Sequence, residues 1–245
     1  MAETSTLNEP AKEMAPRNYA LRYKLTWRLR VGWAWARYLL VGRRQGLPAL
    51  VDFVFQNYFF TAIQVRSELT ALGEILAELQ PQRALEIGTA KGGTLLFLTR
   101  LASPTATLAS IDLEGGEFGG GYSETRQWFY ERFARRRQHL HLIRGDSHQF
   151  WMRRRLGDVF GGIPLDYLFI DGDHRYEGVK KDFEMFGPMV KKGGVIAFHD
   201  IVEGKPEFVG GVPRFWREIK SAYRHKEFIE DPQQGGYGIG VLFVD

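Results

Sequence analysis

The 245-residue chain is 44% hydrophobic and 14% aromatic, enough for one sizeable globular core, and its formal net charge is +4. It has no cysteine, which excludes disulfides, thiolate metal sites and a cysteine nucleophile. No apolar run approaches the roughly 20 residues of a membrane span and the N-terminus lacks a charged-then-apolar leader, so a soluble cytoplasmic protein is expected.

The charge is uneven. Residues 14–51 hold eight Lys/Arg and no Asp/Glu, so the basic character belongs to that stretch and the remainder is mildly acidic. Residues 1–16 are polar and alanine-rich with Pro10 and Pro16, and read as a frayed tail. From 18 to 46, Leu21, Leu25, Leu29, Trp33, Ala36 and Leu40 recur every three or four residues while Arg22, Arg30, Arg37, Arg43 and Arg44 fall mainly elsewhere, the pattern of a basic amphipathic helix. Three uses stay open for it: packing on the main domain or a partner subunit, lying on a membrane surface with Trp27, Trp33 and Trp35 at the headgroups, or holding nucleic acid. Residues 51–60, VDFVFQNYFF, form a buried helix or a lid, so 17–61 is read as a basic, aromatic helical extension and 62–245 as the main domain. Ile63, Leu69, Leu72, Ile75, Leu76 and Leu79 then mark a helix ended by Pro81.

The centre of the chain is RALEIGTAKGGTLL, residues 83–96: a short apolar run, a glycine turn, and a new apolar segment of helical length. A strand that feeds a helix through glycines lets backbone approach a ligand and points free N–H groups at it. Four further strands follow at 107–111, 140–143, 165–170 and 195–198, with helices at 123–137, 176–190 and 213–223 and a terminal pair of strands at 227–229 and 238–244. Repeated βα units with a closing hairpin predict a doubly wound, mostly parallel sheet with one antiparallel strand. The chemically interesting groups all stand at carboxyl ends of strands, where such sheets bind ligands: Glu86, Asp112, Asp146, Asp171 with His174, and Asp200. An acid at the end of the second strand suits a ribose diol, because a carboxylate accepts two O–H bonds; it also suits a cap on the loop. Tyr176 and Lys180 share the spacing of a dehydrogenase pair, but they follow the fourth strand rather than the fifth, and a helix-start Tyr with a solvated Lys explains them.

Over residues 62–245 the sequence resembles the class I S-adenosylmethionine-dependent methyltransferases. LEIGTAKGGT at 85–94 looks like their first motif, SIDL at 110–113 like the second, and RGDS at 144–147 like the loop beside the adenine. The stretch 165–201, with GVPRFWREIK at 211–220, is similar to methyltransferase family 24, close to cephalosporin-hydroxylase-like and sugar O-methyltransferases. The resemblance implies a Rossmann-like, seven-stranded fold and contact with S-adenosylmethionine at Glu86, Gly88, Thr89, Ala90, Gly93, Asp112, Leu113, Asp146, Ser147 and Asp171. In it, Glu86 and Gly88 lie near the amino-acid part, Asp112 on the ribose, and Asp146 with Ser147 by the adenine. Ala90 departs from the glycine that many members carry.

Metal-dependent members place acids where Asp171 and Asp200 stand, which implies a shared Mg²⁺, and His174 occupies the position of the proton acceptor. Ile201 and His199 depart from the ligands found there in catechol-type and sugar enzymes. The plainer readings are that Asp173 and Asp200 cap turns, that His199 is a satisfied strand-end histidine, and that His141, His148 and His225 are structural or solvated. The implied reaction is O-methylation of a hydroxylated small molecule held by walls from 51–60, 115–121 and 201–211. A non-catalytic cofactor-binding protein and a nucleic-acid methyltransferase are the alternatives, and a homo-oligomer is compatible with either.

Overall fold

In a computed structural model, residues 46–56, 60–115 and 121–245 are described, together with Leu29, Gly32, Trp33 and Ala36, which are helical. The chain divides into two units, 1–41 and 42–245. Most of the predicted basic helix lies outside the described residues. The second unit starts ahead of the expected boundary at 62, because the first helix of that unit, α1 (Gly46–Gln56), turns Leu50, Val51 and Val54 inward and packs on the two helices that follow it. Those are α2 (Arg66–Leu79) and α3 (Gly93–Leu101).

The remaining elements are β1 (Arg83–Ile87), β2 (Thr107–Asp112), α4 (Glu124–Tyr130), β3 (His139–Arg144), α5 (Met152–Val159), β4 (Leu165–Ile170), α6 (Tyr176–Phe186), β5 (Val190–His199), α7 (Pro206–Val209), α8 (Val212–Ile219), β6 (Arg224–Phe228) and β7 (Ile239–Phe243). The seven strands form one sheet in the order β3-β2-β1-β4-β5-β7-β6. β7 is antiparallel to both its neighbours and the other adjacent pairs are parallel. The order reverses at β1, so a crevice opens between β1 and β4 at their carboxyl ends.

β4 is buried at every position, as expected of a central parallel strand covered on both faces. β5 begins five residues before the expected start: Leu165 pairs with Val190 but Tyr167 with Val195, and the irregularity between them absorbs Lys191 to Gly194. α4 is shorter than expected, since a 3-10 turn at Glu131–Phe133 follows it. That turn buries Phe133 beside Phe129 and Phe60, with centroids 5.2 and 5.9 Å from Phe133. Phe60 is therefore core, and the 51–60 stretch reads as the buried helix rather than the lid, residues 57–59 lying outside the described set. No described helix is long and apolar enough to cross a membrane.

The amino end of the sheet is closed by one buried carboxylate. Asp166 Oδ2 accepts the backbone N–H groups of Gln82 at 2.8 Å and Arg83 at 2.7 Å, and Oδ1 pairs with Lys191 Nζ at 2.6 Å. Asp166 thereby ties the starts of β1, β4 and β5 together at the end opposite the crevice. Asp166→Ala leaves two N–H donors unsatisfied. It is expected to cost about 2–3 kcal/mol, and so to lower Tm by about 5–10 °C, in thermal and urea unfolding. Ligand affinity at the far end of the sheet is expected to stay unchanged.

Candidate active site

β1 ends in a turn that only glycine can make. Gly88 has φ +94°, and a Cβ on it would lie 1.9 Å from the carbonyl oxygen of Asp171. Backbone at the ends of β1 and β4 is therefore in direct contact. Ala90 also takes a left-handed conformation, φ +42°, in a turn secured by Asp112, whose Oδ2 accepts N–H from Thr89 at 3.1 Å and Ala90 at 2.7 Å. Burial raises the Asp112 carboxyl above its ordinary value, against the backbone donors that lower it. Asp112 thus caps the turn and also lines the cavity described below.

Three residues expected at the cofactor lie outside the cavity described below. Glu86 points to the face of β1 opposite Ile87, accepts Ser110 Oγ at 2.7 Å, and is pushed up to about 8 by burial. Thr89 turns its hydroxyl back onto Ser110 Oγ at 2.6 Å. Gly93 is needed for packing, since a Cβ there would meet the Ala62 nitrogen at 2.2 Å. None of the three lines the cavity.

The cavity, of about 630 Å³, opens at the carboxyl ends of β1, β2, β4 and β5, within the size range of small-molecule sites. Gly88, Ala90, Asp112, Leu113, Asp146, Ser147, Asp171, His174 and Asp200 all line it, so these nine predicted residues are brought together. Of the expected walls, residues 205 and 207–209 contribute but the described residues of 51–60 do not, because their apolar groups are spent in the core. An unforeseen wall comes from Gly235, Gly236 and Tyr237 between β6 and β7. Buried Glu68 on α2 holds it, accepting Gln234 Nε2 at 2.8 Å and the Gly238 N–H at 2.9 Å.

At one end stands a four-membered cluster. Asp171 Oδ1 is 3.1 Å from His199 Nδ1 and 3.5 Å from His174 Nε2. Asp200 Oδ2 is 3.4 Å from Nδ1 of each histidine. Asp200 itself has φ +60°, and its other oxygen accepts the Tyr237 N–H at 3.0 Å, which fixes which oxygen faces the cluster. Gln64, which sits in no motif, donates from Nε2 to Asp171 Oδ2 at 3.0 Å. His199 is not the satisfied histidine of the plainer reading: its Nε2 is enclosed without a hydrogen-bond partner and its Nδ1 faces both acids.

The electrostatics follow from this packing. Burial would raise the Asp171 carboxyl, but His199 and His174 outweigh it and hold it at about 2. Burial would lower His174, but Asp171 and Asp200 carry it up to about 9. His199 is likewise held well above its ordinary value by the two acids. Ligand atoms of Asp171, His174 and Asp200 lie within 4.8 Å of one another, and two hard carboxylates with an imidazole suit a divalent cation.

On the opposite side stands His148, expected to be structural or solvated. It lines the cavity, and its Nε2 lies 3.1 Å from buried Asp182 on α6.

Residues 85–201 match the Methyltransf_24 family, a methyltransferase domain. The uncharacterized protein y4gI of Sinorhizobium fredii (strain NBRC 101917 / NGR234) is 27% identical over 172 residues, 67% of this chain and 17% of that one. The uncharacterized protein R132 of Acanthamoeba polyphaga mimivirus is 53% identical over 59 residues, 23% of this chain and 27% of that one. The chain thus spans only a small part of the length of these curated relatives. Among solved structures, an O-methyltransferase from Bacillus cereus in complex with SAH has a TM-score of 0.53 at 17% identity, covering 85% of this chain and 95% of that one. The O-methyltransferase TomG from Streptomyces achromogenes, involved in tomaymycin synthesis and solved with SAM, has a TM-score of 0.50 at 16% identity, covering 81% and 89%. At these identities the two structures speak for the fold. Residues 85–201 are thus similar to methyltransferase family 24, and the fold is shared with these two O-methyltransferases.

Proposed function

We propose that the protein transfers the methyl group of S-adenosylmethionine to a hydroxyl of a small molecule, with His174 taking the hydroxyl proton. The observation that carries this reading is the cluster of Asp171, His174, His199 and Asp200 at the end of β4 and β5, in the same cavity as the glycine turn. Methyl transfer is an in-line displacement, so the protein's part is to align two reactants and remove one proton.

His174 is built for the second task. Its Nδ1 is 2.5 Å from the carbonyl oxygen of Phe208, and a carbonyl only accepts, so Nδ1 carries a proton and Nε2 is the atom that titrates. Asp171 and Asp200 orient the ring and stabilise the imidazolium that forms when the acceptor's proton arrives. Gln64 occupies the second oxygen of Asp171 and keeps the first turned toward the histidines. A divalent cation held by Asp171 and Asp200 would lower the pKa of a hydroxyl bound to it. Phe208 and Tyr237 supply apolar surface at the same end of the cavity, which favours a ring-bearing acceptor.

Calorimetric titration with S-adenosylhomocysteine is the first test. The wild type is expected to bind with about micromolar Kd, and Asp112→Ala to weaken binding at least tenfold, as the turn loses its acceptor. Absence of wild-type binding, with Mg²⁺ or with EDTA, would remove the basis of the reading. In a screen of hydroxylated acceptors, His174→Ala and Asp171→Ala are expected to lose turnover by at least about a hundredfold while retaining S-adenosylhomocysteine affinity. Loss of affinity in place of turnover would make both residues part of the cofactor site alone. NMR titration of the His174 ring is expected to give a value near the about 9 set by its acids. The ring is thus protonated at neutral pH, and it becomes a base as pH rises or as added Mg²⁺ offsets the two carboxylates. A His174 signal that does not move with Mg²⁺ would rule out cation binding beside it.

A further inference from the structure

Asp182 has no place in the chemistry above, yet it is a carboxylate with no exposed surface. It lies on the inward face of α6 with Val179 and Phe186, where the helical period calls for an apolar side chain. Its Oδ1 accepts Ser147 Oγ at 2.7 Å and stands 3.1 Å from His148 Nε2. Its Oδ2 is enclosed without a hydrogen-bond partner, on the side of Gly172. A buried, half-satisfied carboxylate destabilises a fold, so packing alone does not account for it.

What the carboxylate does is hold a loop. Ser147 and His148 follow β3 without regular structure and form one wall of the cavity. Asp146 in the same loop spends its carboxylate locally, accepting the His148 N–H at 2.8 Å and Gln149 Nε2 at 3.2 Å. The Gly145 N–H bonds the Asp112 carbonyl at 2.8 Å, so the loop starts against the end of β2 and is then pinned to α6 by Asp182.

We propose that Asp182 is a positioning residue for the adenosine half of the cofactor, acting through Ser147 and His148. The hydrogen bond and charge of Asp182 also keep the His148 proton in place, raising it above the ordinary histidine value. Asparagine at 182 keeps an acceptor for Ser147, withdraws the charge that His148 faces, and buries an amide N–H₂ without an acceptor. The inference rests on the reading that adenosine lies against residues 145–148.

The test compares S-adenosylhomocysteine with 5′-methylthioadenosine, which keeps the adenosine and lacks the amino-acid end. Titration calorimetry of Asp182→Asn is expected to show Kd weakened about tenfold for both compounds by the same factor. Ser147→Ala, which leaves Asp182 in place, is expected to weaken both in the same proportion to each other, and the double variant to be no weaker than Asp182→Asn alone. An unchanged Kd with a lowered Tm would make Asp182 purely structural and overturn the proposal. Weakening confined to S-adenosylhomocysteine would overturn it too, since the effect would then lie at the amino-acid end. If Asp182→Asn does not fold, Ser147→Ala decides: an unchanged Kd for both compounds refutes the proposal. Wild type that binds neither compound refutes the cofactor reading beneath it, an outcome distinct from the others.

Discussion

The contact between Gly88 and the Asp171 carbonyl is the constraint on which the site depends. Strand order reverses at β1, and the backbone of the β1 turn then closes directly against the end of β4. A Cβ at 88, 1.9 Å from that oxygen, would push these ends apart by about 1.5 Å to reach ordinary van der Waals contact. With them together, the β1 turn and the carboxylate of Asp171 share one cavity rather than two neighbouring ones. The Ile87 carbonyl accepting the Asp171 N–H at 2.8 Å continues the strand pairing up to that point, so the approach is set by the sheet itself and not by a mobile loop.

Much of this was legible in the sequence because parallel strands announce themselves as short apolar runs, and the residue after each run stands at the ligand end. Asp112, Asp146, Asp171, His174 and Asp200 stand at such ends and line one cavity. Where the structure departs from expectation, the reason lies outside the local sequence. Period-2 alternation puts Glu86 and Ile87 on opposite faces of β1, and a motif that spans both does not say which face the cavity takes. Gly93 answers to a steric need, the backbone at 61–62, that lies thirty residues upstream. The aromatic run at 51–60 has the composition of a lid and of a core helix alike; Phe60 resolves it by meeting Phe129 and Phe133, partners invisible from the local sequence.

The residues missed altogether are those whose role is a long-range hydrogen bond. Gln64 reaches Asp171 across 107 positions, and Glu68 reaches Gly238 across 170. Neither sits in a motif, and both occupy positions that helical periodicity alone would assign to a loop and to a buried helix face. The place of His148 in the cavity wall was hidden for the same reason, since the buried acid beside it, Asp182, is on α6, past the fourth strand. Polar residues on inward helix faces were the available signal: Glu68 falls beside Leu69 and Leu72, and Asp182 between Val179 and Phe186.

Those inward acids divide the labour of the fold in a way that bears on its chemistry. Asp166 closes the amino end of the sheet and Glu68 fixes the β6–β7 wall, each by collecting backbone N–H donors, the arrangement in which a buried carboxylate costs least. Glu86 has only the side chains of Ser110 and Thr94, and burial pushes it up to about 8, so near neutral pH it is largely protonated and adds little negative charge beneath the turn. The cluster in front of the turn is balanced differently: Asp171 is held as an anion by His199 and His174, and the two acids in turn keep both rings protonated. A protonated Glu86 behind the turn and carboxylates matched by imidazoliums in front of it spare the buried end of the sheet an uncompensated charge.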